Sequence, residues 1–267
     1  MTFAPTVLLG AIAGFTIYLG LPFARLKHSP RALQAFLNAL ATGILVFLLW
    51  DVITKASEPI DVALQTARHG QATTFLLLLA LFLSGFGIGL LSLVYYERRV
   101  LQRGTQNPVQ EAAGAASARR LALLIATGIG LHNFSEGLAI GGSSRVGAIG
   151  LATILIIGFG LHNMTEGFGI AAPLTITGKR PSWAFLALVG LIGGGPTFLG
   201  TVLGYSVQSD ALFVLFLALA AGSIFYVVSE LLHVGRRFEL REVVMWGIFL
   251  GFLAGYATDL IVTWGGA

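Results

Sequence analysis

Eight apolar runs, each long enough to cross a bilayer as a helix, take up nearly the whole chain: about 6–24, 32–54, 72–95, 121–141, 147–172, 183–206, 211–234 and 243–264. A crossing helix needs about 20 mostly apolar residues. In lipid only helices and closed barrels satisfy every backbone hydrogen bond, and a barrel would show alternating segments of about ten residues, which these runs do not. The fold class expected is therefore all-α integral membrane, one polytopic domain over residues 1–267. Its longest connection, about 96–120, reads as flexible and solvated. Only 10% of the residues are charged against 56% hydrophobic, whereas soluble domains run near about 25% charged. A cytosolic enzyme, a nucleic-acid binder and a disordered chain are excluded on that ground, and the basic residues lie between the apolar runs rather than along one face. With no cysteine, disulfides and thiolate metal ligands are excluded too. The first run lacks the basic leader of a signal peptide and reads as a span.

Cytoplasmic loops carry an excess of Lys and Arg, which orients the spans. The connections after spans 1, 3, 5 and 7 hold thirteen (Arg25, Lys27, Arg31; Arg98, Arg99, Arg103, Arg119, Arg120; Lys179, Arg180; Arg236, Arg237, Arg241). Those after spans 2, 4 and 6 hold Lys55, Arg68 and Arg145. Both termini are expected outside the cytoplasm, in the cell (inner) membrane. Small-xxx-small pairs, which let helix backbones approach closely, recur at Gly10/Gly14, Gly85/Gly89, Gly200/Gly204 and Gly251/Gly255. They fall on the first and third helices of two three-helix groups, with spans 4 and 5 between. That pattern predicts eight transmembrane helices in a 3+2+3 arrangement with inverted pseudo-symmetry.

The chemistry lies in a repeat. Residues 128–140 read GIGLHNFSEGLAI and residues 158–170 read GFGLHNMTEGFGI, identical at 8 of 13 positions. Consecutive spans run antiparallel, so the copies form a pseudo-two-fold pair near the bilayer midplane. At about 100° per residue, Glu136 falls roughly 40° from His132, between it and Asn133 at roughly 100°. His162, Asn163 and Glu166 repeat the geometry. Gly128 and Gly158, one turn before each His, leave room beside it. Ionisable groups at mid-membrane are costly unless paired or in a wet cavity, and a divalent cation would partner all four of His132, Glu136, His162 and Glu166. Imidazole with carboxylate suits Zn²⁺, Fe²⁺, Mn²⁺, Co²⁺ or Ni²⁺. The alternative is two structural clusters, each His bonded to its own Glu.

Elsewhere, Asp51 near the outer end of span 2 reads either as a cation inlet or as an interfacial group, and Asp259 near the outer end of span 8 as interfacial. Glu230 and His233, spaced to share a face near the inner end of span 7, read either as an outlet or as interfacial. His28 and His69 fall in loops. Trp50, Trp183, Trp246 and Trp264 near span ends fit interfacial anchoring.

On GLHNFSEG, GLHNMTEG, eight spans, outside termini and a basic connection after span 3, the chain resembles the ZIP (Zrt- and Irt-like) family of metal-ion transporters over essentially its whole length. The resemblance implies divalent-metal transport toward the cytoplasm, often a homodimer, and spans 1, 4, 5 and 6 moving as a block against spans 2, 3, 7 and 8. It implies a first metal site lined by His132, Glu136, His162 and Glu166. Asn133 and Asn163 would contribute to a second site, bridged by the glutamates. Two departures matter. The family's usual Pro before the span 4 Glu is Ser135 here, with Thr165 in span 5, and Ser or Thr bends a helix more mildly than Pro. The span 6 Glu that many members carry before a Pro aligns with Gly195, ahead of Pro196, which favours one His₂Glu₂ site over a two-metal centre. The glycine-rich break there would offer backbone carbonyls.

The expected function is a transporter, not an enzyme. It moves divalent transition-metal ions, zinc foremost and also iron, manganese, cobalt or cadmium, into the cytoplasm by alternating access through the midplane His/Glu site. The metal is the transported substrate; no organic cofactor and no nucleic acid is implied, and the partners are lipid and a second copy of the chain. Because the ligands must shed protons to bind metal, uptake is expected to fall in acid. The rivals are a passive divalent-cation channel and an intramembrane metal-dependent hydrolase. The hydrolase would need an open coordination position, and no further His lies near mid-membrane on a third helix.

Overall fold

The computed structural model describes residues 2–25, 30–67, 72–96, 98, 110–145, 149–175, 180–207 and 209–264, without the side chains of 96, 110–116, 143, 145, 149–157 and 262. Lys27, His28, Arg68, His69, Arg99, Arg103 and Lys179 lie outside the described residues. The described residues are almost all helical. The first span is α1 (Phe3–Phe15), a break at Thr16, α2 (Ile17–Gly20) and a 3-10 turn (Leu21–Arg25). Then follow α3 (Arg31–Ala67), α4 (Ala72–Tyr96), α5 (Gln110–Arg145), α6 (Ile149–Thr175), α7 (Trp183–Ser206), α8 (Asp210–Arg236) and α9 (Arg241–Trp264). Seven spans of sufficient length and apolarity are found among the described residues. The remaining predicted span coincides with α6, a 27-residue helix whose side chains are described only from Gly158 on.

Two boundaries differ from the sequence reading. Helix α5 begins at Gln110, so residues 110–120 are helical rather than loop. Helix α3 runs to Ala67, well past the expected end at 54, with Pro59 inside it. Proline has no N–H to give the preceding turn, and this one lies in a stretch flanked by Lys55, Glu58 and Asp61. Lys55 is therefore a helical residue on α3, not a loop residue.

Burial follows polarity. α5 has the lowest mean hydropathy of the seven spans, 1.2, and is the most enclosed, with 67% of its span buried against 22% for α4 and α9. A polar helix in a bilayer is tolerated where other helices shield it from lipid. α5 packs along α7, α8 and α6; α3 packs along α9 and α8; α4 packs on α8; α1 packs on α7 and α6. Trp50, Trp183, Trp246 and Trp264 are exposed, as interfacial anchors are. All eight glycines of the four small-xxx-small pairs lie at helix contacts: α1 with α7, α4 with α8, α7 with α5, and α9 with α3.

The main apolar core bears on one side of the duplicated motif. Ile125 and Ile129 precede His132 on α5, Ile170 and Leu174 follow Glu166 on α6, and Ile44, Leu45 and Leu48 meet them from α3, all almost fully buried. On the opposite side a narrow cavity lined by Asp51 and Asp259 reaches the motif.

Candidate metal centre

Helices α5 and α6 run unbroken through their HNxxEG segments, so each His and Glu, one turn apart, projects from the same stripe. Ser135 Oγ donates to the His132 carbonyl and Thr165 Oγ1 to the His162 carbonyl, each at 2.6 Å. These matching back-bonds, one of them at Ser135 where the resemblance implies a Pro, leave each helix continuous.

The geometry brings the two copies together. His132 Nε2 lies 3.3 Å from Glu136 Oε1 and 4.0 Å from Glu166 Oε1, and His162 Nε2 lies 3.9 Å from Glu166 Oε1. One donor atom from each of His132, Glu136 and His162 lies within 4.8 Å of the others, and the two imidazoles are 6.0 Å apart between centroids. The asparagines cross over. Asn133 Nδ2 donates to Glu166 Oε2 and to the Gly193 carbonyl, both at 3.0 Å. Asn163 Nδ2 donates to the Ala13 carbonyl at 3.1 Å and to Glu136 Oε2 at 3.5 Å. Each Asn thus holds the carboxylate of the other copy and anchors it to a flanking helix, α7 on one side and α1 on the other.

Several polar atoms here are buried without a hydrogen-bond partner: both ring nitrogens of His132, Nε2 of His162, Oε1 of Glu166 and Oδ1 of both asparagines. The His–Glu approaches fall within ion-pair range, yet His132 Nε2 and Glu166 Oε1 still have no aligned hydrogen bond. Buried polar atoms in folded proteins are nearly always paired, and leaving one unpaired costs about 1–3 kcal/mol. With one donor atom each from His132, Glu136 and His162 within 4.8 Å of the others, this unpartnered polar cluster is suited to a cation. Two structural clusters, each His bonded to its own Glu, would leave fewer orphans.

Thr258 on α9 had no sequence signal beyond being a common residue on an apolar span. Its Oγ1 donates to the Gly255 carbonyl at 2.7 Å and lies 3.4 Å from His162 Nδ1. With its own proton spent, the hydroxyl accepts from Nδ1–H, which leaves the Nε2 lone pair facing the carboxylates. Gly193 was foreshadowed only as part of a glycine-rich break, and its carbonyl is the group that meets the motif. A Cβ at Gly195 would find only Leu191 of its own helix within 4 Å, so position 195 does not abut the motif. Gly158 lines the cavity beside the site, as expected. Gly128 does not: a Cβ there would sit 3.1 Å from Val227 Cγ2.

Asp51, Asp259, Lys55 and Thr258 line a narrow cavity of about 20 Å³ with Glu136, Gly158 and His162, room for about one water molecule. Asp259 thus shares the cavity with Asp51 instead of standing apart as an interfacial group. His233 is exposed, with Arg237 Nη2 donating to its Nε2 at 2.9 Å, and Glu230 is half-buried on the same helix. These two residues lie outside the central cluster.

The asparagine network gives a first expected result. Asn133→Ala removes two 3.0 Å bonds, one of them to the buried Glu166 carboxylate, whereas Asn163→Ala loses one good bond and one long one. Asn133→Ala should therefore destabilise by about 1–3 kcal/mol and Asn163→Ala by less, as read from melting temperatures in detergent. Equal or reversed shifts would contradict this account.

The family model described as ZIP Zinc transporter matches residues 98–257, well over half of the chain and inclusive of both motif copies. No curated protein matches.

Proposed function

Since the chain belongs to the ZIP zinc transporter family, and is thus a transporter rather than an enzyme, we propose that it carries divalent transition-metal ions, zinc foremost, into the cytoplasm by alternating access. His132, Glu136, His162 and Glu166 are the first ligands in this reading, with the Asn133 and Asn163 Oδ1 atoms beside them. The observation that carries it is the buried cluster of the duplicated motif, where His132, Glu136 and His162 each bring one donor atom within 4.8 Å of the others and several polar atoms lack a hydrogen-bond partner. Ligands of a tetrahedral zinc with bonds of about 2.0–2.1 Å lie about 3.4 Å apart, so closing the donor atoms onto an ion takes side-chain movement rather than refolding.

The inward direction is what the family resemblance implies, and the Lys and Arg excess supports placing both termini outside. The narrow cavity at Asp51 and Asp259 then faces outward, and the Ile125, Ile129 and Ile170 layer closes the inner side. Glu230 and His233 stand near the inner end of α8 as receivers of the outgoing ion. The 3+2+3 plan, its inverted symmetry and a homodimer belong to the same reading.

Motion of spans 1, 4, 5 and 6 against the rest is supported by how the glycines pack. Where a Cβ would lie within 2.5 Å of a neighbouring backbone carbonyl oxygen, the partner is always in the same group of helices. Gly14 meets Gly194, Gly137 meets Thr197 and Gly167 meets Ile17 in one group; Gly43 meets Ile248, Gly89 meets Leu219 and Gly251 meets Leu40 in the other. Between the groups, among the described residues, the glycine contacts are looser: Gly128 with Val227 Cγ2 at 3.1 Å and the Ser223 carbonyl oxygen at 3.5 Å, and Gly169 with Ala41 at 3.6 Å. Interlocked backbones resist sliding, and looser contacts permit it.

The test is competitive uptake into proteoliposomes across Zn²⁺, Fe²⁺, Mn²⁺, Co²⁺ and Cd²⁺. Saturable, metal-dependent uptake with Zn²⁺ the strongest competitor is expected. Linear flux without saturation would instead identify a channel, and absence of uptake above empty liposomes would overturn the proposal.

A further inference from the structure

Lys55 has no place in the transport scheme so far, yet it stands at the mouth of the cavity that reaches the site. Its Nζ is 2.8 Å from Asp51 Oδ2, with the lysine side chain 41% exposed and the aspartate 15%. Asp51 and Lys55 are one turn apart on α3, Asp259 lines the cavity from α9, and Glu136 and His162 form its floor from α5 and α6. The mouth therefore holds two carboxylates and one ammonium on a flexible four-carbon stem.

We propose that Lys55 is a valence filter: a tethered monovalent cation that occupies Asp51 until a divalent ion displaces it. The proposal rests on the transport reading above. A sodium or potassium ion replacing the ammonium exchanges one unit charge for another and gives up a hydrogen bond, so it gains nothing. A divalent ion brings twice the charge to Asp51 and Asp259 together, and its Coulomb attraction to them scales accordingly. The ammonium is held by its stem and cannot be diluted away. Once displaced it swings toward solvent, where its exposure already points, and the ion passes on to Glu136 and His162. Lys55 thus makes the mouth weaker for all cations and selectively poor for monovalent ones.

The experiment compares wild-type protein with Lys55→Met and Lys55→Arg in proteoliposomes. Zn²⁺ uptake is measured at equal ionic strength in about 0.15 M NaCl or choline chloride, where screening is the same and only the small cation can enter the mouth. In choline, Lys55→Met should show an apparent KM about threefold lower than wild type, the scale of releasing a half-exposed ion pair. In NaCl its KM should rise again, while wild type and Lys55→Arg should give the same KM in both salts. Lys55→Gln serves as a second neutral variant if Lys55→Met is not monodisperse. Neutral variants with the wild-type KM, a raised KM, or no difference between sodium and choline would overturn the filter. Wild-type protein with no Zn²⁺ uptake above empty liposomes would instead overturn the transport reading.

Discussion

Glu136→Gln and Glu166→Gln should each lower metal uptake by at least about tenfold, since even a residue that only supports a metal ligand costs about 10–100-fold in affinity or activity. The amide matches the carboxylate in shape but not in charge. In Glu166→Gln the Asn133 contact to the second oxygen survives if the amide oxygen takes that position, while the atom near His132 and His162 becomes a donor nitrogen that a cation repels. Folding should not suffer. Glu166 is 1% exposed and Glu136 6%, and replacing a buried charge by a neutral group of equal size relieves desolvation. The measurement pairs initial uptake rates with melting temperature and elution profile. Loss of uptake at unchanged or higher melting temperature is expected; wild-type uptake in both variants would remove the site from the mechanism.

The second large effect concerns the glycine that ends each motif copy. A Cβ at Gly137 would lie 2.2 Å from the Thr197 carbonyl oxygen, and one at Gly167 would lie 2.3 Å from that of Ile17. Atoms do not approach so closely, so Gly137→Ala must push α5 away from α7, at about 1–3 kcal/mol for such overpacking. Displacing the backbone beside Glu136 should also depress uptake. Gly169→Ala is the control: its new methyl would rest 3.6 Å from Ala41 Cβ, an ordinary contact, with stability within about 0.5 kcal/mol of wild type. Thermal melts of the two variants should separate clearly. Equal stability would mean that the α5–α7 contact yields more easily than its interlocked backbones imply.

The central constellation was largely legible in the sequence, because a duplicated HNxxEG at helical spacing on consecutive antiparallel spans leaves few ways to arrange its side chains. The glycine pairs were legible for a similar reason, since closely packed helices need small residues wherever they touch. What escaped depended on where elements end and on partners remote along the chain. Lys55 read as a loop residue because hydropathy falls after 54, although the backbone continues as helix through Pro59. Asp259 read as interfacial because nothing local announces that α9 sets it across from Asp51. The helical start of α5 at Gln110 was hidden by an Ala/Gly-rich stretch that suits a loop as well as a helix. Thr258 carries no pattern at all, and its contact with His162 exists only through the packing of α9 on α6.

The aliphatic layer of Ile125, Ile129 and Ile170 bears on how well a cell could hold a metal gradient across this protein. An ion stripped of water and moved into such a layer faces a solvation cost of tens of kcal/mol, so spontaneous leakage through the resting molecule is negligible. On the alternating-access reading proposed above, every ion that crosses waits for a rearrangement of the helices, which takes on the order of microseconds to milliseconds. The seal sets a low ceiling on throughput, and in exchange metal already accumulated stays on its side when the external supply runs out.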